Sequence, residues 1–317
     1  MATKNETHIT DFILLGLSSE SQSLLFAVFL LIYLFTLTGN TMIILIVSLN
    51  SNLHTPMYLF LRSLSLTEML YITVTVPRML RDFLHEDKEI SRTGCAAQFY
   101  FFCCLGASEC FILAFMAYDR YLAICHPLHY MTKMSKNKCL YLSLGSWLGG
   151  LVLPLANIIM VFGLPFCNSN IIDHFFCDIL QVIHLVCAEV LPSTLIVIKL
   201  YILIYTFLVI PLPFMLILMS YIHIFISVLR IRSTAGRNKA FSTCGSHLTS
   251  VSLFFGSATI TYLRTEAIDT YGGPKVWSLL FLVFVPMLNP LIYSLRNNEF
   301  KKALQKLGQK AYSGVYS

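Results

Sequence analysis

Residues 24–49 read LLFAVFLLIYLFTLTGNTMIILIVSL, from Leu24 to Leu49 without one charged side chain. About 20 apolar residues in a helix cross the hydrocarbon core of a bilayer, so this stretch reads as a membrane span. Working outward, six more runs qualify. Met57 to Val76 carries only Arg62 and Glu68, and Ala96 to Tyr118 only Glu109. Leu140 to Leu164 is uncharged, and Ile196 to Leu229 carries only Lys199, near its start. Ala240 to Leu263 is uncharged but rich in Ser and Thr, and Val276 to Leu295 is uncharged. The fifth run exceeds what a bilayer needs and is expected to tilt or protrude. The sixth is the weakest by hydropathy. Barrel strands would be shorter and would alternate apolar with polar residues, which these runs do not. The predicted fold is therefore an all-α integral membrane bundle of seven helices over 24–295, flanked by an outer segment 1–23 and an inner tail 296–317.

The whole chain agrees with its spans. Of 317 residues, 56% are hydrophobic and 12% charged, and the mean hydropathy is +0.72. A soluble domain carries nearer ~25% charged residues. That balance excludes an ordinary soluble enzyme and a disordered chain. The net charge of +6 is not spread as a basic face, so no nucleic-acid partner is expected. The natural partner of most of these residues is membrane lipid.

Loop charges set the orientation. Arg120 to Lys138, Arg230 to Lys239 and the tail from Arg296 are strongly basic, while the loops on the other side are acidic overall. The positive-inside rule puts the basic side in the cytoplasm and, with seven spans, the N-terminus outside. Asn5-Glu6-Thr7 is a glycosylation sequon, useful only outside. The stretch Met1 to Glu20 lacks a basic-then-apolar start, so the first span is expected to serve as its own insertion signal.

Ten cysteines fall into two groups. Cys103, Cys104, Cys110, Cys125, Cys139 and Cys244 lie in spans or on the reducing side and read as small buried residues. Cys95, Cys167, Cys177 and Cys187 lie on the oxidising side, where disulfides are expected. Four cysteines allow three pairings, and spacing does not choose among them.

The third span ends in Met116-Ala117-Tyr118-Asp119-Arg120-Tyr121-Leu122-Ala123-Ile124-Cys125, and the seventh carries Pro286-Met287-Leu288-Asn289-Pro290-Leu291-Ile292-Tyr293. With seven spans and an outer N-terminus, this resembles a rhodopsin-like G-protein-coupled receptor. Leu53-His54-Thr55-Pro56-Met57-Tyr58, Lys239-Ala240-Phe241-Ser242-Thr243-Cys244-Gly245-Ser246-His247-Leu248 and the ten-spaced cysteines beside His174-Phe175-Phe176-Cys177 narrow the resemblance to olfactory (odorant) receptors of the tetrapod type. It runs from about Asp11 to Asn297. It implies a volatile odorant ligand, a stimulatory G protein that raises cyclic AMP, residence in the plasma membrane, and disulfides Cys95–Cys177 and Cys167–Cys187.

The resemblance also assigns switch residues. Arg120 is expected to be neutralised by Asp119 at rest. When the sixth span moves outward, Arg120 would meet a G-protein helix end and the hydroxyl of Tyr221 or Tyr293; Tyr121 belongs to the same switch set. His247, near the cytoplasmic half of the sixth span, reads either as a switch that titrates near neutral pH or as a packing residue. Pro290 removes a backbone donor inside a span and leaves carbonyls for Asn289 or water to satisfy. Phe255 is expected in the toggle position that other rhodopsin-like receptors fill with an aromatic-Pro motif.

Glu68 and Glu109 are intramembrane carboxylates, which default to function. At 1.5 Å per residue, Glu68 lies ~18 Å in from Pro56 and Glu109 ~16 Å from Arg120, so their depths match. Asn40 and Asn289 fall at comparable levels. Two carboxylates in one apolar place need a cation or a shared proton. In related receptors this place holds a sodium ion, although Asp is commoner there than Glu68. No other cofactor is expected.

For the ligand, Phe99, Phe102, Cys103, Gly106, Ala107 and Cys110 recur at helical spacing on the third span. Facing stripes are Ile202, Tyr205, Thr206 and Val209 on the fifth and Phe255, Ala258, Thr259 and Tyr262 on the sixth, closed by Leu279 and Leu282. Such a pocket is small, apolar and free of Asp or Lys, which suits an uncharged hydrophobic odorant. His174 and Asp178 read as loop hydrogen-bonding groups. Phe300, Ala303, Leu304 and Leu307 share a face opposite Lys301, Lys302 and Lys306, which predicts a short amphipathic helix on the inner leaflet. Gly145 and Gly149 are expected to serve helix packing.

The competing classes are weaker. A transporter or channel needs charges along a path, and only one cluster exists. An intramembrane enzyme needs a nucleophile with its base, or a metal set. His85-Glu86-Asp87-Lys88-Glu89 fails the HExxH zinc pattern at its last residue. A chemosensory receptor outside olfaction remains the nearest alternative.

Overall fold

The computed structural model describes residues 9–17, 21–167, 169–187, 189–262, 273–296 and 300–306. Asn5 and Leu307 lie outside the described residues, so the glycosylation site and the last residue of the tail's apolar face are not placed.

The first three spans are unbroken helices: Gln22–Leu49, Pro56–Leu84 and Arg92–Cys125. Each runs past the apolar stretch read from sequence, because the polar flanks continue the same helix beyond the bilayer. Pro56 sits at the helix start, where its missing N–H costs nothing. Ser91 caps the third helix by accepting from the Gly94 N–H at 3.1 Å. The fourth span is Lys136–Val152 followed, after Pro154, by Leu155–Phe162. The fifth is Pro192–Val209 and Pro211–Leu229, interrupted at Ile210. Thr234–Tyr262 is the sixth. The seventh comprises Gly273–Leu279, a π-helical turn Leu280–Phe284, and Val285–Arg296.

Six of these are long and apolar enough to cross a membrane by length and composition; the sixth span falls short, as its Ser and Thr content predicts. It packs into the bundle all the same, with its hydroxyls turned onto its own carbonyls: Thr249 to Gly245 at 2.8 Å and Thr261 to Ser257 at 2.8 Å. The third span is buried along most of its length, whereas the first and fifth expose Leu31, Leu34, Leu203, Phe207, Met219 and many similar side chains. In water such a surface would aggregate; facing lipid it is satisfied.

Close helix approach fixes which glycines matter. A Cβ on Gly150 would lie 2.4 Å from the Cys104 carbonyl, so the fourth span meets the third there. Gly149 faces Phe111 at ordinary contact distance, and Gly145 has open space around it. The expected packing pair is therefore displaced by one residue from the motif.

The bundle is all-α, but its N-terminal face carries a small sheet. Strand β1 (Asp11–Leu14) lies between β2 (Glu89–Ser91) and β3 (Ile171–Ile172). Residues 11–14 are thus anchored to the bundle, since Phe12 and Leu14 are fully buried. Phe12 meets Phe166 edge-on at 5.2 Å, and the Arg92 guanidinium covers the same ring at 4.9 Å. Disulfides Cys95–Cys177 and Cys167–Cys187 staple this face, as the resemblance implies. At the opposite face, residues 300–306 are helical. Phe300 and Ala303 are buried there, while Leu304 stays exposed.

Candidate functional site

Two sites occupy the bundle, one above the other. The first is a cavity of about 360 Å³ below the sheet, at the small end of the range for ligand pockets. Twelve of the residues expected from sequence line it: Phe99, Phe102, Cys103, Gly106, Ala107, Cys110, Ile202, Tyr205, Thr206, Val209, Ala258 and Tyr262. Tyr205 also donates its hydroxyl to the Cys103 carbonyl at 3.3 Å, joining the fifth span to the third.

Four expected residues do not line it. Phe255 packs on Phe214 of the fifth span at 5.3 Å, and Thr259 is exposed on the far side of its helix. The wall of the sixth span is instead Phe254, Ala258 and Tyr262, a ridge with four-residue steps. Leu279 and Leu282 pack in the core, and Phe281 takes their place. The π-helical turn rotates the seventh span locally, so a regular-helix count chose the wrong residue.

Sequence reasoning also missed part of the lining. Ile179 and Leu180 come from the long loop and form a roof. Their position follows from the disulfide. Next to Cys177, Phe176 packs at a tilt against Phe102, ring centres 5.1 Å apart, and the Cys177 N–H donates to Gln98 at 3.0 Å. Asp178 caps the short helix Ile179–Ile183 by accepting from the Leu180 N–H at 2.9 Å. His174 lies against Ser278 of the seventh span at 3.2 Å, a loop tie as expected. The cavity also includes Tyr71, Asn157 and Lys199, so the expectation of a pocket without Lys fails. Lys199 sits on the face of the fifth helix shared by Ile202 and Leu203, which only the packed helix reveals.

The second site begins one turn below Tyr71. Asn289 donates to the Glu68 carboxylate, with Asn40 and Glu109 beside it. All four are buried, so the matched depths read from sequence place them in one cluster. Both carboxylate oxygens of Glu109 and the side-chain oxygens of Asn40 and Asn289 have no hydrogen-bond partner among the described residues. A set of hard oxygens with two carboxyl groups suits a small hard cation or a proton. Asn40 has a further task. Its amide N–H donates to the Pro286 carbonyl at 3.5 Å, the acceptor that Pro290 leaves without its helical donor. The expected partner there was Asn289 or water; the structure assigns it to the first span. Gly39 makes this approach possible, since a Cβ there would lie 3.0 Å from Pro290.

Nearer the Arg120 face, the expected switch residues gather but pair differently. Among the described residues no ion pair joins Asp119 to Arg120. Asp119 instead accepts from the Tyr130 hydroxyl at 2.8 Å, and burial followed by the Asp119 charge pushes that hydroxyl's pKa up, which keeps it a donor. One guanidinium nitrogen of Arg120 is buried without a partner. Tyr221, Cys244, His247 and Tyr293 surround this arginine. Tyr221 bonds to His247 Nδ1 at 2.7 Å, and His247 Nε2 to the Leu113 carbonyl at 3.1 Å. A carbonyl only accepts, so Nε2 carries the proton and Nδ1 receives the Tyr221 hydroxyl. His247 thereby ties the third, fifth and sixth spans together. Tyr121 turns away from Arg120 and bonds to His126 at 3.0 Å. No cluster of three or more His, Cys, Asp or Glu arranged for a metal occurs among the described residues.

Comparison with known proteins agrees with this layout. A family model described as olfactory receptor matches residues 29–310. Olfactory receptor 10A7 of Homo sapiens is 46% identical over 308 residues, covering 96% of each chain. Olfactory receptor 10A2 of Homo sapiens is 48% identical over 296 residues, covering 93% of this chain and 96% of its own. Olfactory receptor 5G9 of Mus musculus is 45% identical over 313 residues, covering 98% of each. A chain with membrane-spanning helices that matches the family model over 29–310 and these proteins at 45–48% identity over nearly its full length is a multi-pass membrane receptor that belongs to the olfactory receptor family.

Proposed function

We propose that this receptor takes a small, mainly apolar volatile ligand in the 360 Å³ cavity and passes the event to a stimulatory G protein, raising cyclic AMP. The cavity carries the reading. Its walls are aromatic and aliphatic, its roof is held by a disulfide, and its floor lies one helical turn above the buried carboxylates. A ligand that presses on Phe254 and Tyr262 bears on the sixth span. That helix holds His247, and its displacement breaks the bond to Tyr221 and frees both groups toward Arg120.

The stapled N-terminal face suits an oxidising exterior, and the Arg120 face, with its Lys and Arg excess, suits the cytoplasm. This supports an outer N-terminus and an inner tail in the plasma membrane. We also propose a sodium ion held by Glu68, Glu109, Asn40 and Asn289. The ion would neutralise the carboxylates and hold the second, third, first and seventh spans in the resting arrangement. The unpartnered oxygens of Glu109, Asn40 and Asn289 support it.

The test is cyclic AMP in cells that supply a stimulatory G protein, scanned with a panel of volatile compounds. A concentration-dependent rise is expected, and Ala107→Trp, which fills the cavity, should abolish it at unchanged surface level. Ligand-driven ion flux without a G protein would overturn the reading in favour of a channel.

A further inference from the structure

We infer that the cavity accepts an amphiphile with a carboxylate head, seated between Lys199 and Asn157, and a hydrocarbon tail against the aromatic wall. This deepens the odorant-receptor reading and rests on it.

Three observations converge. First, Asn157 is 3% exposed, lines the cavity from the fourth span, and has a side-chain oxygen without a partner. Oxygen and nitrogen of an amide exchange places by a simple flip, so Asn157 offers the ligand either a donor or an acceptor. Second, Lys199, an exposed residue, lines the rim of the same cavity from the fifth span, which packs against the Asn157 helix. It makes no ion pair among the described residues. Third, the rest of the wall is led by Phe99, Phe102, Phe254 and Phe281 and carries hydroxyls, Tyr71 among them, but no second cation or carboxamide among the described residues. The ammonium and the carboxamide therefore lie together, between the fourth and fifth spans.

The position of Lys199 is physically tolerable. The fifth span is 38 residues long, about 57 Å at 1.5 Å per residue, against a hydrocarbon core of ~30 Å. Lys199 stands seven residues from the Pro192 start, about 10 Å along, where the ammonium reaches interfacial water when no ligand is bound. Asp178 accepts from the Leu180 N–H and forms no ion pair with Lys199 among the described residues. An alkane would leave both polar groups unmatched, and an amine would be repelled. An alcohol would satisfy Asn157 alone. A carboxylate satisfies both, with the stronger charge-assisted bond to the ammonium.

The experiment uses the full chain in lipid nanodiscs and four probes of one chain length: octanoate, octan-1-ol, octylamine and octane. Ligand-induced thermal stabilisation is measured, with cyclic AMP recorded in cells in parallel. Octanoate should stabilise most. Lys199→Met should weaken octanoate about tenfold or more and leave octan-1-ol nearly unchanged, with Lys199→Arg restoring octanoate. Asn157→Leu should weaken both oxygenated probes. Octanoate stabilisation no greater than that of octan-1-ol, or undiminished in Lys199→Met, would overturn the inference. A receptor that signals to neutral probes alone keeps its odorant role and loses this head-group site. Lys199-dependent binding of octanoate without any cyclic AMP keeps the site and sinks the signalling role.

Discussion

The ligand cavity and the carboxylate cluster are neighbours built on opposite principles. They share the second and third spans, with Tyr71 and Cys110 on the cavity and Glu68 and Glu109 just below. The cavity is walled by rings and small side chains that lose little when empty and gain on contact with any apolar body. The cluster buries carboxyl and amide oxygens that apolar contact cannot satisfy. Over its apolar wall the upper site responds to shape, and only its Lys199–Asn157 end adds a polar preference, while the lower site's chemistry suits a cation or protons. The difference teaches how such a receptor keeps its switch uniform while its ligand varies: only the lower site has to hold one arrangement.

That division can be broken at several points. The largest expected effect is at the Arg120 face. Arg120→Ala should abolish cyclic AMP signalling to every ligand while surface expression persists, read by antibody labelling of intact cells. Full signalling by that variant would remove Arg120 from the switch. Next, Phe254→Ala and Phe255→Ala each delete a buried ring and should cost roughly 3–5 kcal/mol of stability, but only Phe254 lines the cavity, so only Phe254→Ala should also cut ligand potency strongly. Equal potency losses would mean that the cavity extends to the fifth-span side of Phe255.

Gly150→Ala tests packing rather than ligand. The new methyl meets the Cys104 carbonyl, so thermal unfolding should show a loss of about 1–3 kcal/mol with potency nearly unchanged in the receptor that still folds. A stability equal to that of the parent would show that the third and fourth spans are not so close. Glu109→Gln keeps the shape of the cluster and removes a charge; basal cyclic AMP should then lose its dependence on sodium concentration, measured against a potassium-matched series. Retained dependence would place the ion elsewhere or nowhere. The smallest effect is expected from Tyr221→Phe, which deletes the hydrogen bond to His247, worth ~1 kcal/mol, together with the hydroxyl offered to Arg120; the two losses oppose each other, so basal cyclic AMP should change by less than a few-fold.

The places where sequence reading succeeded share a cause. Regular helices repeat every 3.6 residues, so the third-span stripe from Phe99 to Cys110 could be read directly, as could the matched depths of Glu68 and Glu109. It failed where the helix is not regular or the partner is remote. The π-helical turn moved the seventh-span contact to Phe281. The partner of the Pro286 carbonyl lies 246 residues away in sequence, on Asn40. Asp119 chose Tyr130 over its neighbour Arg120, because adjacent residues on a helix point in different directions.

Sequence by itself determined that this chain lives in lipid as a bundle of seven helices, since hydropathy and run length depend on local composition. It also determined the family and the buried carboxylates, because unbroken strings of residues carry them. Only the packed structure decided which side of the sixth helix lines the cavity, that Asp11–Leu14 becomes a strand, and that Lys199, largely exposed, stands at the cavity's rim. Rotation about a helix axis and the pairing of distant segments are set by contacts between elements, and no single element's sequence contains them.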